Sequence, residues 1–254
     1  MNKINVVDNK IIPFDNTDVI LNNNIITFTN NGDYYLEYIT SNNVNITINV
    51  EDNVCVQLFE YSNNNDINTN ITYNLGKNSS LIISKFYYND NTNEEINIYL
   101  NKKNANIKYN FSSISNNDNF YKINVYHLDN NTSSDVFNRI VAKENSSNHF
   151  DINSYVDNGI KDCYLNQSTK IVTLGDSDNR VNPNMFISEE DVTAIHSSTI
   201  GSINEEDLFY LMSRGISYND SVKLIIKGMI LSNINPDMEN MERILSILDS
   251  IGGE

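Results

Sequence analysis

Alternation of apolar and polar side chains runs through most of this chain. In Val44-Asn-Ile-Thr-Ile-Asn-Val50 every second residue is apolar, a pattern that buries one face of a strand and wets the other. The same period predicts strands over Ile25–Phe28, Tyr34–Ile39, Val44–Val50, Val54–Tyr61, Ile67–Leu75 and Ser80–Tyr88. It continues over Glu95–Leu100, Ile107–Ser115, Phe120–Leu128, Ser134–Ala142, Asn148–Val156 and Cys163–Thr173. Strand starts lie roughly 9 to 13 residues apart, with Asn, Asp and Gly between them. Such spacing fits a sandwich, a barrel or a β-solenoid. Two features favour the solenoid. Hairpin dipeptides are few, Asn31-Gly32 and Asn158-Gly159 being the Asn-Gly pairs. Asparagine-rich corners also suit stacked coils, where amides can ladder.

The period changes near Asn204. Asn204 is placed to cap a helix, with Glu205, Glu206 and Asp207 in its first turn, where carboxylates complement the helix dipole. Arg214 falls in the last turn and Gly215 just after it. Ser217 caps a second helix burying Val222, Ile225, Ile226, Met229 and Ile230. Asn235, followed by Pro236, is expected to cap a third, with Met241, Ile244, Leu245, Leu248 and Ile251 on its apolar stripe and Gly252-Gly253 at its end. The division expected is a β core over 1–203 and a helical domain over 204–254. Helices this apolar must pack on the strands or on another protein.

Composition changes this picture in three ways. The 39% apolar content is enough for a packed core rather than disorder. The net charge of −16 argues against nucleic acid, which needs a basic face, and against anionic membranes. Cys55 and Cys163 stand alone, with no paired metal spacing. Both are expected as buried free thiols in a reducing compartment. The N-terminal stretch MNKINVVDNKIIPF carries no apolar targeting run. The expected location is cytoplasmic.

Chemistry-bearing motifs are sparse. There is no phosphate-cradling glycine loop and no nucleophile elbow. Asp129, Asp135 and Asp151 fit turn and surface roles better than a converging catalytic set. His127, His149 and His196 are too scattered for a metal site by spacing. His196 stands out because small and polar residues surround it at the point where strands give way to helices.

That junction carries a resemblance. Asp191-Val192, His196, Ile200-Gly201, Glu205-Glu206, Phe209-Tyr210-Leu211 and Ser213-Arg214-Gly215-Ile216 resemble the C-terminal signature of the SufB/SufD family, components of the SUF iron–sulfur cluster assembly machinery. His127-Leu128 with Asn131-Thr132-Ser133-Ser134, Gln167-Ser168 with Lys170 and Leu174, and Pro183 extend it, over roughly residues 120 to 232. The resemblance implies a right-handed parallel β-helix with a C-terminal helical domain, and no enzymatic activity of its own. It implies that Leu208, Phe209, Tyr210, Arg214, Ile225 and Met229 dock a SufC-type ABC ATPase. It also implies pairing with a second SufB/SufD-type subunit, with an iron–sulfur cluster held transiently at their interface.

The scaffold subunit SufB has Cys at the position of Ser168 and Glu at that of Ser197. This chain lacks both ligands and keeps His196, as SufD does. The match is therefore to SufD, with His196 as the interface or metal-ligand candidate. Cys163 lies an odd number of residues from Ser168 and faces the other way. Two other readings stay open: one SufB/SufD homologue acting as a homodimer with SufC, and a β-solenoid carbohydrate-active or adhesion protein.

Overall fold

The computed structural model describes residues 2–7, 9–12, 18–39 and 43–251. Its strands form two sheets wound as one solenoid of about 6 turns. The first sheet holds β1 (Asn2–Val7), β2 (Lys10–Ile11), β5 (Gly32–Tyr38), β7 (Cys55–Ser62), β9 (Ser80–Tyr87), β11 (Asn106–Ser115), β13 (Ser133–Lys143), β15 (Cys163–Leu174) and β17 (Val192–Ser202). The second holds β3 (Val19–Asn22), β4 (Ile25–Phe28), β6 (Val44–Val50), β8 (Asp66–Leu75), β10 (Asn91–Leu100), β12 (Asp118–His127), β14 (Ser147–Val156) and β16 (Asp178–Ile187). Consecutive strands alternate between the sheets, and neighbours within a sheet run parallel. The exceptions are β1–β2 and β3–β4, two antiparallel pairs at the N-terminal end. The fold is a parallel β-helix.

Alternation builds the core. Ile46, Ile71, Ile96, Ile123 and Ile152 are in register along one sheet, and all are buried. Each such side chain contributes about 1.5–3 kcal/mol by leaving water. The corners explain part of the asparagine content. Asn53, Asn78, Asn104 and Asn131 have φ of 64°, 53°, 61° and 56°, a left-handed backbone that Asn tolerates better than most residues. Their amides stack from coil to coil: Asn78 Nδ2 donates to Asn53 Oδ1, and Asn104 Nδ2 to Asn78 Oδ1, both at 2.8 Å.

Three helices follow: α1 (Glu205–Ser213), α2 (Tyr218–Leu231) and α3 (Met238–Ser250). They cover the outer face of the first sheet. Tyr35, Phe59, Phe86, Val141 and Val172 meet Val222, Ile226, Ile230, Ile244 and Leu248 in a second apolar core. Asn204 and Ser217 cap α1 and α2, and Gly215 takes φ +87° after the first.

Several expectations are corrected. Asp237, not Asn235, caps α3, its side chain accepting from the Asn240 amide; the Asn235 amide instead donates to Ser84 Oγ at 3.1 Å. Neither Asn-Gly pair makes a hairpin. Asn31-Gly32 leads from one sheet to the other, and Gly159 sits in a coil corner. Cys55 is exposed, while Cys163 is buried. Gly252-Gly253 lies outside the described residues. Strand β16 escaped the periodic reading because Pro183 interrupts it; as an edge strand it tolerates proline.

Candidate functional site

The two ends of the solenoid differ. At the N-terminal end the short antiparallel pairs close the sheets. At the other end β16 and β17, of 10 and 11 residues, are edge strands. Long unpaired edges are templates for pairing with another chain. They also carry exposed apolar side chains: Phe186, Ile195 and Ile200.

Strand β17 presents the sequence-derived site. His196 pairs in register with Gln167, and Ser197 with Ser168. Gln167 is an inward position on β15. It is buried, and its Nε2 donates to Ser154 Oγ at 2.8 Å. His196 takes the same inward parity one coil later, where no further coil covers it, and it is exposed. Ser168 and Ser197 face outward, on the opposite side of their strands. Cys163 points inward and is buried, so it shares no face with Ser168. On β17 the inward face thus carries the imidazole of His196, and the outward face the hydroxyls of Thr193, Ser197 and Thr199. Among the described residues no three His, Cys, Asp or Glu side chains group to hold a metal.

The six docking candidates divide. Phe209, Tyr210 and Arg214 are exposed, Phe209 at 74% of its surface. The Arg214 guanidinium lies 5.3 Å from the centre of the Tyr210 ring. Leu208, Ile225 and Met229 are partly buried against the core beneath the helices.

The other candidates serve the fold. His127 is buried between Thr132 Oγ1 at 2.8 Å and Ser134 Oγ at 2.9 Å. Burial lowers its pKa to about 4, so it is neutral at pH 7. Asp129 Oδ2 accepts from the Lys103 amide, and Asp135 Oδ1 from Asn166 Nδ2, both at 2.9 Å. Burial raises the Asp151 pKa, but hydrogen bonds from Asn182 and His149 more than offset it and hold the carboxyl below its usual range.

The sequence reading missed a charged cluster inside the solenoid. Glu60, Lys85 and Glu94 are fully enclosed. Lys85 Nζ lies 2.6 Å from Glu94 Oε1 and 3.4 Å from Glu60 Oε2. Tyr38 and Tyr73 donate to Glu60, while Tyr87 and Thr69 donate to Glu94. The signal was present: Val56-x-Leu58-x-Glu60 and Leu81-x-Ile83-x-Lys85 put both charges at inward positions.

Comparison with known proteins agrees with this geometry. The model of the family "SUF system FeS cluster assembly, SufBD core domain" matches residues 19–229. The iron–sulfur cluster assembly protein SufD of Bacillus subtilis is 30% identical over 96 residues, 37% of this chain and 22% of that protein. A SufBD family protein of Mycobacterium leprae is 29% identical over 108 residues, 41% of this chain and 12% of its own. SufD of Escherichia coli is 43% identical over 44 residues, 17% of this chain and 10% of its own. Each match thus spans less than a quarter of the relative's length. No helix among the described residues is long and apolar enough to cross a membrane. A parallel β-helix ending in an open coil, with a family match over most of its length, leads to one assignment: the chain belongs to the SufBD core family of iron–sulfur cluster assembly proteins.

Proposed function

We propose that this chain is the SufD-type, non-enzymatic subunit of a SUF assembly complex. It pairs with a cysteine-bearing SufB-type scaffold through the β16–β17 end and binds a SufC-type ATPase through its helices. The carrying observation is the open coil itself, two long edge strands flanking one exposed imidazole. An aromatic stack supports the pairing. Tyr99, Tyr126, Tyr155 and Phe186 stack outside the second sheet at 4.8, 4.7 and 5.0 Å. The stack stops at Phe186, which is 53% exposed at the edge.

The donor set favours a heterodimer over a homodimer. With Ser168 and Ser197 in register, two copies of this chain bring hydroxyls where iron prefers thiolate and carboxylate. His196 supplies one ligand or proton-handling group, and the iron–sulfur cluster is cargo held transiently between subunits. The ATPase meets the exposed Phe209, Tyr210 and Arg214, with Leu208, Ile225 and Met229 supporting them from beneath. The setting is cytoplasmic. Co-expression with a SufB-type and a SufC-type protein tests the reading by native mass. A heteromeric complex supports it; recovery of this chain alone, or only as a homodimer with the ATPase, refutes the SufD assignment.

A further inference from the structure

We propose that the outer face of β13, β15 and β17 binds a small oxyanion of the phosphate or sulfate type, seated on Arg139 and Lys170. The guanidinium of Arg139 is half-buried, yet every acceptor it meets is neutral. Its Nη1 donates to Asn138 O at 2.9 Å, Ser168 O at 3.1 Å and Ser168 Oγ at 3.4 Å, and its Nη2 to Ser168 Oγ at 3.4 Å. No ion pair reaches Arg139, Lys170 or Lys108 among the described residues, in a chain whose net charge is −16.

Burial lowers the Arg139 pKa from its ordinary value, and no neighbouring carboxylate opposes the shift. A desolvated cation without a counter-charge is costly. A bound anion removes that cost.

The register builds the rest of the seat. Arg139 pairs with Lys170, and Lys170 with Thr199; one step earlier on the same face, Ser168 pairs with Ser197. Neighbouring strands lie about 4.8 Å apart, so Arg139, Lys170 and the hydroxyls of Ser168, Ser197 and Thr199 stand side by side on one face. Lys108 flanks the seat over the Phe137 ring, 5.9 Å from its centre. A cleft of 460 Å³ opens beside Lys170 and Thr199, walled on its far side by α1 and α2. Glu205 and Asp207 line the helix side of that cleft. The seat shares Ser168 and Ser197 with the open coil, but it is complete in the isolated chain and its binding is read there without a partner.

The test is calorimetric titration of the full chain with inorganic phosphate, and separately with sulfate, at constant ionic strength. Saturable binding at one site is expected. Arg139→Gln and Lys170→Gln each weaken it tenfold or more, while Lys103→Gln, on a remote corner, leaves it unchanged. Lys170 is exposed, so its variant keeps the fold even if the Arg139 variant does not. Absence of saturable binding, or equal affinity in the Lys170 variant, overturns the proposal.

Discussion

Gln167 and His196 occupy the same inward position on successive coils, yet one is sealed in the solenoid and the other stands in solvent. The difference is the missing next coil. Gln167 shows what this position does when covered: its amide donates to Ser154 Oγ and to the carbonyls of Ile152 and Asn184. Replacing Gln167 with Leu leaves those acceptors without a donor and is expected to cost about 1–3 kcal/mol. Urea denaturation measures it. His196→Ala, on the exposed coil, is expected to leave the midpoint unchanged.

The helical surface yields a contrast between docking and packing. Phe209→Glu removes an exposed ring and is expected to abolish ATPase co-purification with no change in melting temperature. Ile226→Ala opens a cavity in the core between helix and sheet and is expected to cost about 2–5 kcal/mol. Loss of docking only in variants that also melt early would contradict the assignment of the exposed face.

The edge of the aromatic stack yields another. Phe186→Glu puts a charge where the stack ends and is expected to prevent pairing with a SufB-type partner. The isolated chain should keep its circular dichroism spectrum and its monomer mass. A partner that still assembles normally on this variant does not use the stack.

Inside the solenoid, Lys85→Met leaves Glu60 and Glu94 buried without their cation. A loss of about 3–5 kcal/mol is expected. Adding Glu60→Gln and Glu94→Gln to that variant should recover part of it, because the uncompensated charges go too. Denaturation midpoints of the single and triple variants decide.

His127 gives a pH dependence of defined sign. Its folded pKa, about 4, lies below the ordinary 6.5, so the unfolded chain takes the proton first. Stability is therefore full above pH 6.5 and falls as pH drops toward 4, by roughly 3 kcal/mol in total. In His127→Gln this part of the slope should vanish. An unchanged slope means another group titrates there.

Most strands were legible in the sequence because inward apolar residues alternate with outward polar ones, often Asn, within each strand, as in Val44–Val50. Parallel order was not fixed by the alternation: it depends on which strand returns beside which, and the scarcity of hairpin dipeptides, the asparagine-rich corners and the family resemblance pointed to it. The third helix cap was misplaced because Asn235 and Asp237 are both good capping residues, and the Asn235 amide is claimed by Ser84 on the sheet. His196 could be singled out by its setting, but its exposure could not be read locally, since it follows from the solenoid ending at that coil. The buried Lys85 was overlooked because a charge on an alternating strand is ordinarily outward. The Arg139 seat was invisible because it joins residues from strands about 30 positions apart.

The most direct test is iron and acid-labile sulfide measured per complex, for this chain purified with its SufB-type and SufC-type partners, wild type against His196→Ala. The account predicts an intact complex in both cases, with cluster content lost or sharply reduced in the variant. Equal cluster content in both would contradict the role given to His196 at the open coil.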